Sequence, residues 1–385
     1  MKHATRITLA ALVLSFAAIE TQSQGKFSGV FYGDYFFNVA RDTALDRANL
    51  SSSALGGPRY NQGFVIRRVY FTYDYDLAEQ FAMRYRLELD ETANSSAQYA
   101  ILSNGNIGVF VKDAWLRWKN ILSGSDLYFG IQATSAYEIS EGIWGYRSLE
   151  KTIMDLRGIA SSRVLGIALR GKLDEEGMFG YWLTIANANS GTQPKDLGQT
   201  LRNGDKYNLY SLHVAFKPAK EVLLTLYGDF RPTYPVPDPA STALPRATES
   251  NGTFTGALFA SYKNGSDFAL GAEAFTQQTS HAYADPTVAN SLKTLSRIGV
   301  SLFGWYNFSD ALGVVVRYDY FDPKTGSNVA EQGDSRSYIL AGLTFKPAKN
   351  VQVIPNLQVE TYESIPNGRS IDAAVTGRVT FAFSY

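Results

Sequence analysis

Between Phe81 and Asp90 the chain alternates without a break. Phe81, Met83, Tyr85, Leu87 and Leu89 fall on one side, and Ala82, Arg84, Arg86, Glu88 and Asp90 on the other. A period of two is the signature of a β-strand with one apolar face. The apolar face carries Phe, Met and Tyr over the whole stretch. A strand of about 9–11 residues is what a tilted crossing of a bilayer requires.

The pattern returns along the chain. Leu165, Ile167, Leu169 and Leu173 alternate with Gly166, Ala168, Arg170 and Lys172, and Phe179, Tyr181, Leu183 and Ile185 follow the turn 174–178. Leu312, Val314, Val316, Tyr318 and Tyr320 alternate with Gly313, Arg317 and Asp319. Laid out in full, the periodicity predicts strands at about 27–39, 63–77, 81–91, 109–119, 126–133, 163–173, 179–188 and 207–217, then 221–231, 254–263, 268–278, 295–307, 312–322, 336–346, 351–362 and 372–385. Their connections alternate between short turns, such as 78–80, 264–267 and 308–311, and long loops, such as 40–62, 134–162 and 232–253. Short turns on one side and long loops on the other, with an even strand count, describe an all-β transmembrane antiparallel β-barrel of about 16 strands. Closure leaves no unpaired edge in the lipid. The turns are assigned to the periplasmic side and the loops to the extracellular side of a bacterial outer membrane.

The N-terminus agrees with export. Lys2 and Arg6 precede a short apolar run from Ile7 to Ile19, and Thr21-Gln22-Ser23 offers small residues at the cleavage-specifying positions. This predicts a signal peptide at 1–23 and a mature barrel at 24–385. The apolar run is too short to span a core of about 30 Å as a helix. Removing Lys2, Arg6 and Glu20 changes the charge from 36 − 36 to 34 − 35 = −1. A balanced charge gives no footprint for nucleic acid. The absence of cysteine removes disulfides, a thiol nucleophile and Cys-based zinc sites, and no cofactor or metal motif stands out. The C-terminal residues Val379, Phe381, Phe383 and Tyr385 share one face. The pair Phe383 and Tyr385 forms an aromatic terminal signal expected to engage the barrel-assembly machinery.

A barrel of this size encloses an aqueous lumen, so function is sought in what lines it. Inward positions of the second to sixth strands carry Arg68, Arg84, Arg86, Arg117, Lys119, Arg170 and Lys172. As one basic sector they would guide small anions by focusing the field. Asp74, Asp76, Glu88, Asp90 and Asp113 share that wall, with Asp74 roughly opposite Arg84, so neutralised pairs with no charge preference are the competing reading. Arg67 falls on the outward parity, where it would snorkel to headgroups. Lys112 interrupts its apolar face, and Trp118 and Tyr73 suit interfacial girdles. The third long loop, 134–162, is long enough to be functional. It is expected to fold into the lumen as a constriction carrying Glu138, Glu141, Arg147, Lys151 and Arg157, with a helical turn from Ser148 to Arg157.

Three segments resemble the phosphate-selective porin O and P family. They are Gly63-Phe-Val-Ile-Arg-Arg-Val-Tyr70, Val111-Lys-Asp-Ala-Trp-Leu-Arg-Trp118, and Ser148-Leu-Glu-Lys through Arg163-Val-Leu-Gly166. The resemblance covers about 63–175. It implies a 16-stranded outer-membrane porin, a homotrimer in contact with outer-membrane lipids, passing small hydrophilic solutes, with anions such as phosphate as candidate cargo. Other classes stay open. Long polar loops would suit an adhesin or receptor. Ser211 and His213 on one face could belong to a lipid-hydrolysing barrel, although parity turns them toward the lumen and no third group orients them. The chain is therefore read as a non-enzymatic channel.

Overall fold

The computed structural model describes residues 25–42, 57–90, 108–188, 207–242, 248–285, 288–325, 335–363 and 370–385. The proposed signal peptide and much of several long loops, 40–62 included, lie outside them.

Among the described residues, sixteen antiparallel strands close into one barrel. They are β1 (Lys26–Ala40), β2 (Gln62–Ala78), β3 (Phe81–Asp90), β4 (Gly108–Leu122), β5 (Ser125–Ala133), β6 (Arg163–Lys172), β7 (Phe179–Asn187) and β8 (Asn208–Ala219). The second half comprises β9 (Val222–Pro237), β10 (Thr248–Asn264), β11 (Phe268–Ala284), β12 (Leu292–Asn307), β13 (Leu312–Asp322), β14 (Arg336–Ala348), β15 (Val351–Tyr362) and β16 (Ala374–Ser384). Each strand pairs with its neighbours in sequence, and β1 pairs with β16 to close the wall. The alternation separates the two faces as expected. On β12, Val300 and Leu302 are exposed outside while Ser301 and Phe303 are buried inside. The outer belt is apolar and fits lipid; the inner face holds nearly all the buried charge.

The seam between β1 and β16 is tight. Tyr385 N–H donates to Gly29 O at 3.2 Å, Gly29 N–H donates to Tyr385 O at 3.1 Å, and Phe31 stacks on Phe383 at 4.9 Å. A Cβ at Gly29 would lie 2.5 Å from the backbone oxygen of Tyr70 on β2, so a side chain there would push the ladder apart.

Register corrects one reading and supplies one placement. On β2, Tyr32 pairs with Arg68 but Gly33 pairs with Ile66, so Arg67 is an extra residue in a β-bulge. Outward parity passes from Phe64 and Ile66 to Val69 and Phe71, and Arg67 joins Arg68 inside. It does not snorkel to headgroups. On β4, Asp113 pairs with Arg86 but Val111 pairs with Leu87, which makes Lys112 the extra residue. Lys112 and Asp113 are both buried inside.

Four strands also run further than the periodicity predicts. β9 and β10 extend until Pro237 pairs with Thr248, and β11 and β12 until Ala284 pairs with Leu292. Above the lipid belt the outer face has no reason to be apolar, so the ladder continues without the alternation that betrays it lower down.

Candidate functional site in the barrel interior

The connection from Ala133 to Arg163 lies against the inner wall. It forms α1 (Glu138–Trp144) and a single turn, α2 (Ile153–Leu156). Gly145 ends α1 in the left-handed conformation at φ 69°, with its N–H donating to Glu141 O at 3.0 Å. The predicted turn over 148–157 shrinks to α2, and α1 is missed altogether. Glu138-Ile-Ser-Glu-Gly-Ile-Trp144 contains a mid-helix glycine and two β-branched residues, so its helix rests on packing rather than propensity.

That packing is apolar and one-sided. Trp144, Tyr146 and Leu149 form one cluster with Leu223, Phe259, Phe303, Trp305, Tyr338, Leu340 and Ile354, the inward residues of β9–β15. Trp144 meets Phe303 edge-on at 5.2 Å, and its Nε1 donates to Glu150 O at 2.9 Å. Ile153 and Met154 sit against Tyr227, Phe275 and Phe321. Polar bonds extend around the wall. Ser140 Oγ donates to Glu273 Oε1 at 3.2 Å, Gln277 Nε2 to Ile159 O at 2.8 Å, and Trp305 Nε1 to Ile143 O at 3.2 Å. Arg317 donates to the carbonyl of Lys151, and Arg67 to the carbonyl of Ser148. The segment thus reaches from β11 to β15 and across to β2.

The charged residues form two zones. Toward the short turns, pairs are one to one, two across neighbouring strands and one, Lys119 with Asp76, across β3. Arg84 binds Asp74 at 2.7 Å, Arg117 binds Asp126 at 2.5 Å and Lys119 binds Asp76 at 2.6 Å. Asp74 stands opposite Arg84 in the ladder, as the sequence indicates. Lys172 is exposed at the end of β6, in a recess of about 570 Å³ that it shares with Arg117, Lys119, Asp126, Asp174 and Glu175.

At the level of the loop the ratio changes. Asp34 pairs with Arg67 and Arg378, Glu88 with Arg68 and Lys112, Asp113 with Arg86 and Arg163, and Glu360 with Arg157 and Arg336. Four carboxylates therefore face eight cations. Each of the four groups touches the loop or its end, through Arg67 and Ser148, Lys112 and Ser162, Arg163, or Arg157. Arg147 has the reverse arrangement, holding Glu141 at 2.6 Å and Asp155 at 2.5 Å. Burial alone would raise the Asp155 carboxyl. The charges of Arg147 and Lys151 and the Arg147 hydrogen bond outweigh it and hold the carboxyl at about 2. Glu141 is raised, because burial outweighs the attraction of the same Arg147. Glu138 lies 3.9 Å from Arg163.

Water access differs between the two sides. Side chains of Arg84 and Asp74 are each 31% exposed and Arg117 36%, against 3% for Arg157 and 1% for Arg317. Toward the short turns the β2–β6 wall stays wet, while at the level of the loop its Arg68, Glu88, Lys112 and Asp113 are buried; the opposite wall is covered by the loop. Sequence reasoning missed that covered wall. Its signal was present in runs such as Leu302-Phe-Gly-Trp305 and Tyr338-Ile-Leu-Ala341, apolar on both parities, which mark strands buried on both faces. Ser211 and His213 lie on the inner face away from lipid. The Ser211 Oγ is 3.4 Å from Ser135 Oγ, and His213 packs near the Tyr227 ring.

No family model and no curated protein matches the chain. Solved structures do match. The outer membrane channel DcaP of Acinetobacter baumannii superposes with TM-score 0.64 at 12% identity, covering 95% of this chain and 99% of that one. An anion-selective porin from Comamonas acidovorans gives 0.60 at 11%, covering 94% and 99%. Salmonella typhi OmpF, solved with daunomycin, gives 0.57 at 12%, covering 95% and 99%. The fold is that of a bacterial outer-membrane β-barrel of the porin type.

Proposed function

We propose that the chain is an outer-membrane porin through which small hydrophilic solutes diffuse, with a preference for anions. The observation that carries the preference is the four carboxylates at the loop, each shared by two cations. An excess of fixed positive charge in a confined space concentrates anions and repels cations. The route runs between the loop and the β2–β6 wall, along Arg68, Arg84, Arg86, Arg117, Lys119, Arg170 and Lys172. The loop, with Glu138, Glu141, Arg147, Lys151 and Arg157, sets the bore.

Reconstitution in a planar bilayer under a salt gradient tests the reading. A reversal potential favouring chloride over potassium is expected, and a cation-favouring value would refute the anion preference. Deleting 138–158 should raise single-channel conductance; unchanged conductance removes the constriction role. Phosphate is one candidate among the anions, and its block of chloride current is the direct measurement. Three companion proposals have their own assays. Sequencing of the mature N-terminus should begin at Gln24. Cross-linking in outer-membrane lipid should trap a homotrimer. Truncating Phe383 to Tyr385 should stall assembly at the barrel-assembly machinery.

A further inference from the structure

The guanidinium of Arg170 lies between two rings on the inner face of β6. Its Cζ is 3.6 Å from the centroid of Trp182 and 4.0 Å from that of Tyr128. Its hydrogen-bond acceptor is an uncharged amide, Gln132 Oε1, 2.5 Å from Nη2. Gln132 is fully buried and fixed in turn by donating Nε2 to Gly166 O at 3.1 Å. Asp126 faces Arg170 across the ladder, but its oxygens are taken by Arg117 and by the Asn120 N–H. Arg68, Arg84, Arg86, Arg117 and Lys119 each hold a carboxylate; Arg170 holds none among the described residues.

Stacking on both faces fixes the plane of this guanidinium and spends its rotamer freedom before any solute arrives. What remains for a ligand is the donor edge at Nη1, which makes no hydrogen bond among the described residues. Aromatic surface continues beside it, with the guanidiniums of Arg117 and Arg84 5.8 and 5.4 Å from the Tyr128 and Trp115 rings. The Trp115 ring meets Tyr128 edge-on at 5.2 Å, and both are half-buried.

We propose that Arg170, Tyr128 and Trp115 form a binding station for a small planar organic acid. Its carboxylate takes the open edge of Arg170 and its ring lies along Tyr128 and Trp115. Trp182 and Gln132 act as positioning residues that hold the guanidinium. The station rests on the channel reading and names its solute class as aromatic monocarboxylates.

The test uses the full barrel in planar bilayers, with sodium benzoate, acetate and inorganic phosphate as blockers of chloride current. Half-block concentrations are compared within each channel, so changes in conductance cancel. In the wild type, benzoate is expected to block at about tenfold lower concentration than acetate, the scale of one aromatic contact. R170Q should bring the two together, and W182L should narrow the gap. R170K, which keeps the charge without the planar fork, should also lose most of it and serves if R170Q does not fold. Equal block by benzoate and acetate in the wild type overturns the proposal. So does full discrimination in R170Q or R170K, or tighter block by phosphate than by benzoate. A wild-type protein that forms no channel defeats the porin reading, whereas a conducting channel without discrimination defeats only the station.

Discussion

Arg67 Nε lies 2.5 Å from Asp34 Oδ2, joining the bulge of β2 to the inner face of β1. The same oxygen accepts a bond from Arg378 of β16 at 3.1 Å, so one carboxylate ties three neighbouring strands. Asp34→Asn would leave two buried guanidiniums without their anion. Removing one partner of a buried pair costs about 3–5 kcal/mol. The expected result is a lower temperature for loss of the folded, fast-migrating band on gels. Conversion at the wild-type temperature would show that the pair contributes nothing.

Trp144 anchors the loop to the dry wall through Phe303, and its bond to Glu150 O ties the loop to itself. Trp144→Ala should cost the docked loop about 3–5 kcal/mol, the usual range for a buried aromatic. The barrel ladder does not depend on it. Gel migration should therefore be kept, while single-channel current becomes noisier and larger on average. A quiet channel of wild-type conductance would separate the loop from the bore.

The ladder and the loop zone should respond differently to loss of a carboxylate. Asp113→Asn uncovers both Arg86 and Arg163, and Asp74→Asn uncovers only the half-exposed Arg84. The anion-to-cation permeability ratio should rise more in the first variant, by about twofold or more at low salt where fields are least screened. Equal ratios in the two variants would contradict the zoning.

Acidification should act on the Arg147 group in one order. Asp155 is depressed to about 2, so its contribution to stability is complete above its ordinary value and fades only as pH falls through about 2. Glu141 is raised, so it takes up its proton before ordinary carboxyls do. On lowering the pH from neutral toward that of ordinary carboxyls, Arg147 keeps Asp155 and loses the charge of Glu141. Anion preference should increase over that interval in the wild type and change less in Glu141→Gln. Matching pH profiles would rule out Glu141 as the titrating group.

Most of the barrel was legible because lipid imposes a rule on every crossing: apolar outward at each second residue, from Phe81 to Leu89 and again from Leu312 to Tyr320. Legibility failed where that rule stops. Above the belt, β9 to β12 continue through Thr233, Glu249 and Asn251, which carry no alternation. At Arg67 and Lys112 parity counting fails because one added residue moves a side chain across the wall. The charged wall was legible as a list of residues but not as a ratio. Which cation shares which carboxylate depends on those two bulges. It depends also on partners far along the chain, such as Arg157 and Glu360.

The contact of β1 with β16 carries a consequence for the order of events in biogenesis. Asp34 and Arg378 are 344 positions apart. During synthesis β1 emerges before β16, and the strand that covers its second edge exists only after β2 to β15 have been made. For that interval the chain holds an apolar strand with open backbone groups, the state most prone to joining a neighbour's strands. Something must keep it apart from other nascent copies until the final hairpin arrives. The wall therefore cannot close until β16 has been made, however early β1 is ready.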